Sequence, residues 1–268
     1  MDLKFQPAIA AIKADDVDAL RALIAEDPSL ATSRSSISHP TLLQCLVLDA
    51  KGQPNARELA QVLIDAGADI NEPLVAAASI DNRALAEFLL DRGAAIDGTG
   101  GWSSLEEALY WNSRNVIALL LERGAKIRNL RTAAALGRID LVENYFNADG
   151  SLKPEAGKIN WPFGKHRKSW PEDRLSIINN AFVYACMHGH IDAAQLLLEK
   201  GAEVNSVPAG FDYAGTGLHY AALNGQRAMV EFLLAHGADR KLEDTKVGST
   251  AAGWAEYGGH PELLELLR

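Results

Sequence analysis

The sequence has fewer basic than acidic residues. It has 26 lysines and arginines against 35 aspartates and glutamates, a formal net charge of -9 and a pI near 5.3. Binding to the phosphates of nucleic acids or of anionic membranes needs clustered Lys and Arg, so the balance disfavours both kinds of partner. A basic protein would suit the charge better.

The sequence also has no long hydrophobic run. The apolar stretch near the N-terminus is broken by Lys13 and followed by Asp15 and Asp16, without the cleavage site of a secretory signal. We therefore expect neither a signal peptide nor a membrane-spanning segment.

The motifs of common enzyme classes are missing. There is no HExxH, no CxxC pair, no GxxxxGK[ST] and no GxSxG in the sequence. A protein that is not an enzyme, with no catalytic residues, no cofactor and no metal site, is the expectation that follows.

The sequence contains internal repeats. Segments such as VEFLLAHG carry apolar residues three and four positions apart, which marks one buried helix face, and a glycine follows the last of them. Repetition at a period of about thirty residues predicts stacked units that bury their apolar faces against each other. Five such runs share similar endings: GADIN from Gly67, GAAID from Gly93, GAKIR from Gly124, GAEVN from Gly201 and GADRK from Gly237.

The segment TGLHYAALNGQRAMVEFLLAHGAD, residues 216–239, resembles the ankyrin repeat, whose pattern is Thr-Pro-Leu-His-x-Ala-Ala, a glycine turn, a Leu-rich helix and Gly-Ala-Asp. The chain is identified as a member of the ankyrin repeat family, of bacterial type. The resemblance implies an all-α solenoid of about eight helix-turn-helix units, joined by β-hairpins or tight turns, in one elongated domain over residues 1–268. The units are expected to begin near Gln6, Thr41, Glu72, Ser103, Arg128, Asn180, Thr216 and Thr250.

The two cysteines, Cys45 and Cys186, fall in first helices of units far apart in this register. Repeats contact their neighbours and not distant units, so a disulfide between them is not expected. Reduced, packed cysteines are typical of the cytosol. We predict a cytoplasmic monomer.

Histidines fall mostly at framework positions of the repeat. His219 takes the place of the family's motif histidine, His190 and His260 follow inter-helix turns, and His236 lies in the last turn of a second helix. His166 and His188 stay open to a functional role.

One long segment, residues 147–177, departs from the repeat pattern. Its Pro and Gly residues break helical periodicity, and Trp161, Phe163 and Trp170 surround the basic run KHRK from Lys165. Two interpretations stay open. The aromatic residues fix the segment to the stack, as long loops often require, or they contact a partner.

A stripe of aromatic residues is the second departure. Positions 5, 8 and 9 of a unit, counted from its first motif residue, share one face of its first helix, which in ankyrin-like proteins lines the concave side. Exposed aromatic residues are common interface anchors, although these rings could instead pack between neighbouring first helices. The predicted partner-binding members of the stripe are Tyr110, Trp111, Tyr184, His188, Tyr220, Trp254 and Tyr257.

Together these features predict a non-enzymatic scaffold that binds a protein through the concave groove of its C-terminal half and through the inserted loop. A rigid, preformed surface loses little entropy on binding. The acidic balance favours neutralisation or regulation of a basic protein. The alternative is a small-molecule or catalytic pocket between the inserted loop and the sixth unit, using His166, His188 and nearby tyrosines.

Overall fold

The structure is a computed structural model that describes residues 2–36, 41–50, 52–99, 102–158, 173–207, 209 and 215–268. Of the described residues, 60% are helical, and they form 17 α-helices and no strand. This confirms the predicted all-α fold. The chain divides into two compact units, which we call unit 1 (Met1–Lys126) and unit 2 (Ile127–Arg268).

Unit 1 contains four helix pairs, each a first helix followed by a turn and a second helix. A short helix, α3 (Ser29–Thr32), follows the first pair. The pairs are α1 (Gln6–Lys13) with α2 (Val17–Glu26), α4 (Leu42–Asp49) with α5 (Ala56–Asp65), α6 (Asn71–Ser79) with α7 (Arg83–Asp91), and α8 (Ser104–Tyr110) with α9 (Arg114–Glu122).

Unit 2 also contains four pairs, and a 3-10 turn (Pro261–Leu263) begins the second helix of its last pair. They are α10 (Leu130–Ala135) with α11 (Ile139–Asn144), α12 (Arg174–His188) with α13 (Ile191–Glu199), α14 (Gly217–Leu223) with α15 (Arg227–Ala235), and α16 (Ala251–Tyr257) with α17 (Leu264–Leu267).

Packing follows the repeat order inside each unit. In unit 1 the first helices α1, α4, α6 and α8 pack in series, and the second helices α2, α5, α7 and α9 do the same beside them. In unit 2 the series of first helices is α10, α12, α14 and α16. Apolar side chains such as Leu46, Leu74 and Leu89 lie fully buried between these layers. Each buried leucine contributes roughly 1.5–3 kcal/mol of transfer free energy.

Four of the eight first helices begin at a capping box, in which the N-cap side chain accepts the N3 backbone N–H and the N3 side chain bonds back to the N-cap backbone. A lost N-cap of this kind costs about 1 kcal/mol. Thr41, Ser103 and Thr216, which are predicted unit starts, are N-caps of first helices. The four boxes pair Thr41 with Gln44, Ser103 with Glu106, Asn129 with Thr132 and Thr216 with His219.

The first helix of the sixth repeat begins before the predicted unit start near Asn180. Helix α12 begins at Arg174, because the Asp173 side chain accepts the Ser176 N–H at 2.9 Å and caps it. The Arg174 guanidinium also donates to the carbonyls of Gly150, at 3.1 Å, and Lys200, at 2.9 Å. The last four residues of the predicted inserted loop, 174–177, are therefore helical.

The repeated Gly-Ala endings bond neighbouring repeats together. The fifth residue of one ending accepts the backbone N–H of the third residue of the next. The ending GAKIR is the exception, because the side chain of Arg128 at its fifth position has no hydrogen-bond acceptor. The N–H of Glu203, the third residue of the next ending, instead donates to the Asn179 side chain of α12 at 2.8 Å. The three bonds run from Ala95 to Asn71 at 2.8 Å, from Lys126 to Asp97 at 2.9 Å and from Asp239 to Asn205 at 2.8 Å.

The connection before α16 is a loop closed by a single antiparallel bridge. Across residues 240–250 this bridge joins Glu243 and Thr250, and the backbone forms no strand. By contrast, the ending from Gly67 leads directly into α6 at Asn71, as a tight turn. The segment before α14 is only partly within the described residues.

Candidate protein-binding surfaces

Trp111 is the most exposed tryptophan among the described residues. It directly follows α8, and 47% of its surface is accessible. Its indole N–H donates to Glu107 Oε1 at 2.9 Å, and its ring meets Tyr110 edge to face, with centroids 5.0 Å apart. An exposed ring is thus held in one orientation by its own helix.

Glu107 also receives a second indole. The N–H of Trp102, a buried residue, donates to Glu107 Oε2 at 2.5 Å, so two indoles hold the two oxygens of one carboxylate. Trp102 was not among the predicted site residues. Its position just before the Ser103 N-cap, five residues ahead of Glu107, is the signal that could have found it.

Three members of the aromatic stripe are buried, and their predicted exposure is wrong. Tyr184, Tyr220 and Trp254 are 1%, 6% and 7% exposed. The Trp254 ring meets those of Tyr220 and His219 edge to face, at 5.1 and 5.2 Å, and fills the space between α14 and α16. Packing between neighbouring first helices explains these residues.

Trp254 also fixes the preceding loop through Asp244. The Asp244 carboxylate accepts the Trp254 indole N–H at 3.0 Å and the backbone N–H groups of Lys246, Val247 and Ser249 at 2.7–3.0 Å. Burial alone would raise its pKa. The hydrogen bonds outweigh burial and lower the pKa of Asp244 to about 2.

Two side chains remain well exposed near the end of unit 2. Tyr257, the last residue of α16, is 90% exposed, and Val247, in the loop that Asp244 organises, is 66% exposed. His188 ends α12 and is partly buried. Of the predicted stripe in unit 2, Tyr257 is therefore the most exposed ring.

The aromatic residues of the inserted loop, Trp161, Phe163 and Trp170, lie outside the described residues, as does His166. Both interpretations of that run stay open.

The described first part of the loop, residues 147–158, packs against the start of α10. The Ala156 carbonyl accepts the Leu130 N–H at 3.0 Å, the Lys158 carbonyl accepts the Asn129 side-chain amide at 3.1 Å, and Ala156 is buried. This part of the loop serves the structure.

The framework role predicted for His219 and His190 is confirmed. His219 Nδ1 accepts the Thr216 N–H at 3.1 Å, and Nε2 lies 3.2 Å from the Ser249 carbonyl, which requires a proton on Nε2. Burial lowers the pKa of both His219 and His190, and both therefore favour the neutral form.

The remaining framework histidines also contact the repeats. His260 packs against Gly225, where an added Cβ would lie 2.5 Å from the ring, and His236 Nδ1 lies 2.8 Å from the Phe232 carbonyl.

Cys45 and Cys186 are free, buried thiols in α4 and α12, and burial raises the pKa of each. Across the described ranges, no group of three or more His, Cys, Asp or Glu side chains could hold a metal ion. No helix in this part of the chain is long and apolar enough to cross a bilayer.

Comparison with protein families agrees with this architecture. A model of ankyrin repeats in three copies matches residues 46–131, and a model of ankyrin repeats in many copies matches residues 182–234. The chain belongs to the ankyrin repeat family. Ankyrin repeats generally mediate protein–protein interaction, and proteins built from them are typically non-enzymatic scaffolds.

Relatives of this ankyrin repeat protein differ widely in kind. The human transient receptor potential cation channel subfamily A member 1 is 28% identical over 230 residues, 78% of this chain and 19% of the channel. A putative ankyrin repeat protein, L271, of Acanthamoeba polyphaga mimivirus is 25% identical over 253 residues, 91% of this chain and 30% of the relative.

A rice protein, the probable E3 ubiquitin-protein ligase XBOS33, is 34% identical over 91 residues, 34% of this chain and 17% of the relative. The chain thus spans less than a third of the length of each of these relatives, and their names point to no common activity. The expected bacterial type stays a prediction.

Charge is unevenly divided between the two units of this ankyrin repeat protein. Unit 1 has 18 acidic against 11 basic residues, a net charge of -7, and unit 2 has 17 against 15, a net charge of -2. The exposed Trp111 therefore belongs to the strongly acidic unit.

Proposed function

We propose that this ankyrin repeat protein is a non-enzymatic, cytoplasmic, monomeric scaffold that binds a protein partner, with Trp111 as the principal anchor. The supporting observation is the geometry of that residue. Nearly half of its surface is accessible, while Glu107 and Tyr110 fix the ring from within α8. Large aromatic side chains of this kind dominate interface energetics, and truncation of a hot-spot anchor typically costs about 2 kcal/mol or more.

Preorganisation strengthens the case for Trp111. Ordering a free side chain at an interface costs roughly 0.5–1.5 kcal/mol, and a ring already held by a hydrogen bond and an aromatic contact avoids part of that cost. Tyr110 is partly buried and widens the same surface.

The proposed partner is a basic protein or a basic segment of one. The net charge of -7 on unit 1 attracts cations during the diffusional encounter and discriminates against acidic proteins. Such a partner's association rate falls as salt concentration rises, because exposed charges are screened.

In unit 2 the proposed contacts are Tyr257 and His188. The buried rings of Tyr184, Tyr220 and Trp254 act from beneath by holding the first helices that present them. Trp161, Phe163 and Trp170 remain proposed contacts of the inserted loop.

The test is affinity capture from the native host with the wild-type chain and two variants. Trp111→Ala removes the anchor, and Leu121→Ala removes an exposed apolar side chain on the second helix α9 as a matched control. We expect one basic protein to be retained by wild type and Leu121→Ala and lost with Trp111→Ala, at unchanged Tm. Equal retention by all three chains would overturn the role of Trp111.

A further inference from the structure

An open cleft of about 620 Å³ lies on unit 1 between the second helices α2 and α5. It is formed by side chains other than those around Trp111, which belong to α8 and the residues beside it. Its volume lies in the range of about 300–1,000 Å³ typical of ligand sites.

Three small apolar residues belong to the apolar part of the lining, which we call the floor. These residues are Ala25 of α2, Val62 of α5 and Ala66, the C-cap of α5, and Ile24 and Pro28 are the other apolar residues of the lining. Small side chains allow the backbone of another helix to approach closely, and the groove between two packed helices accepts the side-chain ridge of a third. The shape therefore suits a helix better than an extended strand.

Acidic residues dominate the rim. Glu58 is exposed and makes no ion pair or hydrogen bond with any described residue. Asp65 is held beside the cleft by the Gln61 side-chain amide, at 2.5 Å. The one cation of the lining, Arg21, is already paired with Asp18 at 2.7 Å. The rim thus carries two carboxylates against one lining cation, and a second cation, Arg92, donates to Gln61 Oε1 at 2.6 Å.

We infer that this cleft binds a basic amphipathic helix of a partner protein. The apolar stripe of that helix lies on the floor of Ala25, Val62 and Ala66, and its Lys or Arg side chains face Glu58 and Asp65. The inference rests on the proposed protein-binding function, but it uses a surface that does not include Trp111.

The test uses a fluorescein-labelled synthetic helix with Leu at i, i+3, i+4 and i+7 and Lys on both flanks, added to the full chain and followed by anisotropy. Glu58→Lys should weaken binding about tenfold, because it replaces attraction by repulsion at an exposed site without a partner to lose. Glu143→Lys in α11 of unit 2 makes the same change in net charge and should leave the affinity within about twofold.

A second variant keeps the test decisive. Ala25→Phe fills the floor and should abolish binding of the probe, while circular dichroism confirms an intact fold. Trp111→Ala should leave the affinity for the probe unchanged.

Equal binding of a scrambled probe, or no effect of Ala25→Phe, would overturn the inference that the cleft binds a helix. Loss of affinity with Trp111→Ala would place the probe on the Trp111 surface instead. A dimer in sedimentation that Ala25→Phe dissociates would assign the cleft to a second copy and contradict the inference.

Discussion

The indole N–H of Trp254 donates to Asp244 Oδ2 at 3.0 Å, and this bond joins the first helix of the last repeat to the loop that precedes it. The same carboxylate accepts three backbone N–H groups of that loop. One aspartate therefore takes the place of the strand pairing that a β-hairpin would have supplied.

Asp244→Asn should destabilise the chain by about 2–3 kcal/mol at pH 7, since a charged acceptor of several hydrogen bonds is replaced by a neutral one. Urea unfolding followed by circular dichroism measures the change.

The pH dependence of the wild type gives an independent reading of Asp244. Its pKa is about 2 in the folded chain, against an ordinary value of 3.8, so its contribution is present above pH 3.8 and is lost as the pH falls towards 2. The pKa difference corresponds to roughly 2 kcal/mol. The Asp244→Asn protein should not show this part of the loss of unfolding free energy in acid. Parallel pH profiles for the two proteins would contradict the assignment.

His219→Gln should remove part of the loss of stability below pH 6.5. Burial lowers the folded pKa of His219 below the ordinary 6.5, so the unfolded chain takes up a proton more readily and acid favours unfolding. Glutamine can still close the capping box, as Gln44 does with Thr41 in the second repeat.

The measurement for His219 is the free energy of unfolding between pH 5 and pH 8, in wild type and His219→Gln. The two curves should converge at acid pH and separate above the pKa, where wild type keeps its bond to the Ser249 carbonyl. A constant difference across the range would show that His219 does not titrate in this window.

Gly137→Ala should destabilise the chain more than Gly259→Ala. Both glycines occupy inter-helix turns at positive φ, 63° and 80°, so both substitutions share the backbone strain. At Gly137 an added Cβ would also lie 2.6 Å from His190 Nδ1 and 2.9 Å from its Cγ, whereas nothing lies within 4 Å at Gly259.

Thermal unfolding of the two glycine variants separates strain from the steric clash. We expect about 1–2 kcal/mol for Gly259→Ala and at least about 1 kcal/mol more for Gly137→Ala, because the partly buried His190 ring must shift. Equal destabilisation would mean that His190 moves freely and does not join the two repeats.

The repeat register was predictable from the Gly-Ala endings because each one ends a helix in the same local way. The burial of each side chain was not predictable from that register. Tyr220 and Trp254 share the stripe with Tyr257, yet the first two are covered and the third is not. The cover of Trp254 includes Asp244, ten residues earlier in an irregular loop, which no periodic pattern reports.

The start of α12 was missed for a related reason. The motif at Asn180 matches the repeat, but Asp173 and Arg174 extend the helix through a cap and through bonds to the carbonyls of Gly150 and Lys200. The second carboxylate contact of Glu107, from Trp102, likewise depends on three-dimensional proximity around a capping box.

The central claim is that unit 1 binds a basic protein through Trp111. Its most direct test is a calorimetric titration of the captured partner against wild type, Trp111→Ala and Tyr220→Ala. We expect Trp111→Ala to raise the Kd by about 30-fold or more, equivalent to a loss of about 2 kcal/mol of binding free energy, with Tm unchanged. Tyr220→Ala, which empties a buried site, should instead lower Tm. An unchanged Kd for Trp111→Ala would contradict the account.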